Sequence, residues 1–141
     1  MSDFSVDLER KLSRLGRDIQ EFVERIVPVQ DAGGDFSPGC DIIESDSEYK
    51  IEVDLPGMKK EEIQISLKEN VLQISGEREL NLNKDEKLKR RERSTGAFSR
   101  SFAIPDHVDL SDTSASFRNG VLRITMPKSE DAGDSTSIPI S

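Results

Sequence analysis

From about Val6 to Val27 the apolar residues Leu8, Leu12, Leu15, Ile19, Phe22 and Ile26 return at alternating steps of four and three, the repeat of one helix face. Arg10, Arg14, Arg17, Asp18, Glu21, Glu24 and Arg25 occupy the other positions, so an amphipathic helix is predicted, weakened by Gly16 and ended by Pro28. The segment from Asp31 to Gly39 concentrates Gly, Pro, Asp and Ser and reads as a linker. After Gly39 the period becomes two. Tyr49, Ile51, Val53 and Leu55 alternate with Lys50, Glu52 and Asp54 until Pro56-Gly57 breaks the run, as in a half-buried strand. Ile63, Ile65 and Leu67, a turn at Lys68-Glu69-Asn70, and Val71, Leu72 and Ile74 form a predicted hairpin. Phe98, Phe102 and Ile104 share one parity of a further strand that stops at Pro105. Ala115 and Phe117 precede Asn119-Gly120, and Leu122, Ile124 and Met126 follow it; Asn-Gly between two alternating runs is the strongest short hairpin signal.

Short alternating strands with no helical pattern among them indicate an all-β, antiparallel sandwich or barrel, and the sandwich is the expectation adopted. The chain then divides into an arm and linker (1–39), a β-module (40–128) and a C-terminal extension (129–141). In the extension, Ser129 to Ser137 holds three acids, no base and no large apolar group, which marks a mobile tether.

Composition narrows the function. With 141 residues, a third of them charged and no tryptophan, the chain reads as one soluble domain with extensions and a thin core. No run approaches the length of a spanning helix and the N-terminus lacks the order of a signal peptide, so a cytoplasmic location is expected and no membrane partner. A net charge of −8 opposes nucleic acid. The single Cys40 has no internal partner and is read as an ordinary thiol. With His107 as the one histidine, no triad or metal cluster is marked, and Gly33-Gly34 lacks the Lys-Ser/Thr of a phosphate loop. No enzyme activity, metal or cofactor is predicted, and His107, after Pro105-Asp106, is placed on the surface.

Ala115-Ser116-Phe117-Arg118-Asn119-Gly120-Val121-Leu122, closing with Met126-Pro127-Lys128, resembles the A-x-x-x-N-G-V-L signature of the alpha-crystallin or small heat-shock protein family. Asp54-Leu55-Pro56-Gly57, Leu72 to Arg78, Arg91 to Ser94 and Gly96 to Phe102 are similar to its bacterial and plant branch. The resemblance covers about Asp41 to Ile140 and leaves the arm unmatched. It implies an immunoglobulin-like sandwich, the alpha-crystallin domain, between a helical arm and a flexible tail. It also implies a homodimer-based oligomer that acts as an ATP-independent holdase chaperone, binding non-native client proteins and preventing their aggregation.

The resemblance suggests roles for three groups of residues. Glu77 to Thr95 is too long for a hairpin connection. Spacing alone reads it as a solvated charged loop. The family suggests that Glu86 to Arg93 forms a strand on a neighbouring subunit, placing Arg90, Arg91, Glu92 and Arg93 at a dimer interface. Arg100 shares the parity of Phe98 and Phe102, where a charge needs a partner such as a carboxylate; the family puts it near that interface, whereas spacing equally allows an edge arginine reaching water. Ile138-Pro139-Ile140 is an extended pair of knobs, which the family docks in a groove of another subunit and spacing alone would dismiss as a frayed end. The stripe Leu8, Leu12, Leu15, Ile19, Phe22 and Ile26 is read as the surface for oligomerisation and client binding. Without the resemblance, a non-chaperone adaptor with the same sandwich remains the runner-up.

Overall fold

A computed structural model of the chain describes residues 25–29, 34–129 and 138–141. The strands are β1 (Val27–Val29), β2 (Cys40–Glu44), β3 (Glu48–Asp54), β4 (Ile63–Lys68), β5 (Val71–Arg78), β6 (Gly96–Ala103), β7 (Ser114–Arg118) and β8 (Val121–Pro127), with 3-10 turns at Lys60–Glu62 and Leu110–Asp112. They form two four-stranded sheets, β1-β6-β5-β4 and β2-β3-β8-β7, paired antiparallel throughout. The architecture is the all-β sandwich that the alternation predicts.

Alternation fills the core between the sheets. Ile51, Val53, Leu72, Ile74, Phe102, Leu122, Ile124 and Met126 are fully buried, while intervening positions such as Gln64, Ser66, Gln73 and Arg123 face solvent. The two predicted hairpins close through two-residue turns, Lys68 pairing with Val71 and Arg118 with Val121. Glu69 and Asn70 have φ of 52° and 62°, and Asn119 and Gly120 have φ of 54° and 77°, the left-handed pair that matches the twist of the flanking strands. Gly120 has a second reason to be glycine. A Cβ there would stand 3.0 Å from the Pro56 Cα, and its carbonyl accepts the Leu55 N–H at 2.7 Å, so this turn packs against the end of β3.

Two expectations are corrected at the N-terminal side, and one strand is added. The predicted helix lies outside the described residues as far as Glu24, but its last turn is not helical: Val27–Val29 pairs with Ser101–Ala103 of β6, and Ile26 is 5% exposed in the core. The β-branched run Ile-Val-Pro-Val prefers extended backbone, and Pro28 sacrifices no ladder bond because β1 is an edge strand. The linker beyond Gly34 is also seated. Asp35 N–H bonds to the Ala97 carbonyl at 2.6 Å, its carboxylate accepts the Ala97 N–H at 2.8 Å, and Phe36 bridges Phe98. Finally, Cys40–Glu44 forms β2, which the sequence left unassigned because Ile42 and Ile43 are adjacent and break the alternation.

Candidate functional site

β7 is an edge strand with an inward Ala115. Ile138-Pro139-Ile140 lies parallel to it: Ser141 donates its N–H to the Ala115 carbonyl at 2.9 Å, Phe117 donates to the Ser141 carbonyl at 3.1 Å, and Ile140 bridges Ala115. Ile138 is 6% exposed and joins the core cluster, Ile140 packs against it half-buried, and Pro139 faces solvent. The two isoleucines therefore act as inward knobs, as the restriction imposed by proline predicts. The groove they fill belongs to their own domain, where the family resemblance led to the expectation of another subunit's.

At the opposite edge of the same sheet, β2 pairs with β3 on one side and with nothing among the described residues on the other. Ile42 and Ile43 point to opposite faces of this strand, yet both are exposed. The margin of the sandwich is thus uncovered above and below, a surface that isolated domains rarely leave bare. The other large apolar side chains exposed among the described residues, Leu80, Leu82 and Leu88, all lie in the loop between β5 and β6. That loop carries no strand within the single chain, and Arg90, Arg91, Glu92 and Arg93 are all exposed along it. The Arg90–Glu92 ion pair at 3.3 Å is solvated on both sides and adds little stability.

Arg100 shares the inner parity of Phe98 and Phe102, as expected, but its partner differs. Its Nη1 donates to the Pro38 carbonyl at 2.9 Å and its guanidinium stands 5.4 Å from the Phe102 ring centre. A backbone acceptor thus holds the charge in place of the expected carboxylate, tying the segment before β2 to β6. Cys40 is beside it, its Sγ 3.5 Å from the same Pro38 carbonyl. Burial pushes the Cys40 thiol above its ordinary value, against the opposing pull of Arg100. A folded-state value above the unfolded one favours the protonated thiol, so this contribution to stability is present below the unfolded pKa and is lost as pH rises through the folded one. Cys40 is therefore expected to react with iodoacetamide more slowly at pH 8 in the folded protein than in urea. Equal rates would show an unshielded thiolate.

His107 is half-buried. Its Nε2 lies 3.2 Å from the Tyr49 hydroxyl, supplying a partner to a phenol 1% exposed, which gives the histidine a structural task in place of the expected free surface position. No group of three or more His, Cys, Asp or Glu side chains among the described residues is arranged to hold a metal. No described helix is long and apolar enough to cross a membrane. Of the predicted stripe, Leu8, Leu12, Leu15, Ile19 and Phe22 lie outside the described residues, and Ile26 belongs to the core.

The described residues thus form a two-sheet sandwich whose β2 edge is unpaired, whose β7 edge carries the Ile-Pro-Ile tail and whose β5 and β6 are joined by a long loop. The chain belongs to the Hsp20/alpha crystallin family, whose pattern it matches over residues 41–141. It is 41% identical over 96 residues to small heat shock protein C4 of Rickettsia felis, covering 67% of this chain and 59% of that one. A 17.8 kDa class I heat shock protein of Arabidopsis thaliana is 47% identical over 88 residues, 60% of this chain and 55% of the relative. The matches thus span less than two thirds of these relatives' length. Among solved structures, heat shock protein 16.0 from Schizosaccharomyces pombe superposes with a TM-score of 0.66 at 35% identity, covering 79% of this chain and 80% of that one. A small heat-shock protein from Xylella fastidiosa gives 0.64 at 34% identity, covering 70% and 92%.

Proposed function

We propose that the chain is an ATP-independent holdase chaperone of the cytoplasm, built from dimers that join into larger oligomers and hold partly unfolded proteins before they aggregate. The observation that carries this reading is the uncovered β2 margin with Ile42 and Ile43 outward, while the other large apolar residues exposed among the described residues, Leu80, Leu82 and Leu88, sit on one loop. A strand formed by Glu86 to Arg93 on the β2 edge of a second copy satisfies both: it pairs the free backbone groups and buries Leu88 against isoleucine. Exchange in both directions closes the dimer.

The tail supplies the link between dimers. From Ser129 to Ile138 is nine residue steps, which extend to roughly 30 Å, whereas the seat beyond β7 is two strand spacings, about 10 Å, from β8. That slack lets Ile138-Pro139-Ile140 also reach the equivalent β7 groove on another dimer. The Xylella relative's described high-order structure accords with assembly of this kind. The stripe Leu8, Leu12, Leu15, Ile19 and Phe22 is the proposed capture surface, and the net charge of −8 keeps loaded assemblies in solution. Clients bind by mass action, so no nucleotide and no chemical step enter.

Heating a thermolabile client with equimolar protein and no nucleotide, while following light scattering, tests this reading together with the protein's mass. Suppressed scattering by an assembly much larger than a dimer is expected. A monomer or dimer that leaves aggregation unchanged would identify an adaptor with the same fold.

A further inference from the structure

Arg78 closes β5 at the point where the long loop departs, and its side chain reaches three separate segments. Nε and Nη2 fork onto the Ser94 carbonyl at 2.9 and 2.7 Å, Nη1 donates to the Pro56 carbonyl at 3.2 Å, and the guanidinium lies 4.7 Å from the Phe36 ring centre. Ser94 is on the returning limb of the loop, Pro56 is in the turn after β3, and Phe36 is in the segment that bridges β6. One planar cation therefore ties the base of the loop across the end of the sandwich, from one sheet to the other. Next to it, a Cβ on Gly57, whose φ is 83°, would stand 3.4 Å from the Arg93 guanidinium, so the returning limb also runs close along that turn. Charged donors to carbonyls are the stronger class of hydrogen bond, and the fork fixes direction as well as distance.

We propose that Arg78 is the positioning residue of the loop: by clamping Ser94 and Pro56 together it sets the angle at which Glu86 to Arg93 leaves the domain, and so presents that strand to a second copy. The inference rests on the exchanged-strand dimer proposed above. Without the clamp the loop searches a wider set of directions, so the dimer forms less readily and its subunits exchange faster. Lysine keeps the charge but cannot fork onto Ser94 while reaching Pro56 and stacking on Phe36.

Three variants of the full chain separate the outcomes: Arg78→Ala, Arg78→Lys, and one in which residues 80–93 are replaced by a two-residue Asn-Gly turn. Subunit exchange is followed by fluorescence transfer between two labelled populations and fold by thermal unfolding. Exchange about tenfold faster or more in both arginine variants, with an unfolding midpoint close to the parent's, is expected, and the loop replacement should abolish the dimer. Parental exchange in Arg78→Ala, when the loop replacement gives monomers, overturns the clamp alone. A loop replacement that stays dimeric overturns the exchanged-strand reading beneath it. Exchange in Arg78→Ala that rises only in proportion to a lowered unfolding midpoint, with Arg78→Lys equal to the parent in both, reduces Arg78 to a general stabiliser and also overturns the proposal.

Discussion

Ile138→Ala combined with Ile140→Ala is expected to convert the large assembly to dimers and to lower the unfolding midpoint of the domain. Ile138 is 6% exposed inside a core cluster and Ile140 is half-buried against it, so truncating both removes most of one isoleucine burial and part of another. That amounts to about 2 to 4 kcal/mol, a weakening of roughly 30-fold to several hundred-fold per tail. The backbone bonds from Ser141 to Ala115 and Phe117 survive the substitution, which keeps the loss below that of deleting the tail. Far-ultraviolet circular dichroism should keep its β signature, because the two sheets pair without the tail. Size-exclusion chromatography with light scattering decides: the parent's mass at micromolar concentration in the double variant would free the tail of any role between dimers.

The second large effect concerns where the N-terminal arm is cut. Removing residues 1–24 deletes Leu8 to Phe22 and leaves Ile26 and β1 in place; a folded β-rich protein with its client protection largely lost is expected. Removing residues 1–29 should also destabilise the sandwich, since it takes Ile26 out of the core and strips three paired residues from β6. Losing the buried isoleucine alone accounts for about 1.5 to 3 kcal/mol, several degrees of melting temperature in a domain of this size. Differential scanning calorimetry of the two truncations, beside a client-scattering assay, separates the roles. Equal melting temperatures would mean that β1 contributes no stability, and full protection by the shorter truncation would move capture to the β-domain.

Where alternation was strict, the sequence sufficed. Tyr49 to Leu55, the Lys68 to Val71 turn and Asn119-Gly120 each carry a period or a left-handed pair that few other structures satisfy. The edges were harder to read. Ile42-Ile43 exposes one residue on each face, a pattern with no period, and Val27-Pro28-Val29 is a strand of three at the end of a helical stripe whose spacing absorbs it. Proline reads there as a helix terminator, although on an edge strand it has nothing to give up. Arg100 was legible as an inward charge but its acceptor was not, since every residue has a carbonyl and only the fold brings that of Pro38 within reach. Arg78 appeared only as part of a matching stretch. Its three contacts come from segments far apart in the chain, so no local spacing announces them.

The seating of the tail on the β7 of its own domain changes how assembly responds to dilution. A segment held by a short tether explores a small volume around its groove, at an effective concentration on the order of millimolar. A tail arriving from another dimer has to compete with that resident one. At low protein concentration each subunit caps itself, and the β7 edge is not left as a template for stray strands. In the proposed assembly, resident tails would give way to visiting ones as subunits accumulate, and network growth would be a trade of equivalent contacts in which few bonds are made or lost. Such an exchange is close to isoenergetic, so modest changes in temperature or subunit number are enough to move it in either direction.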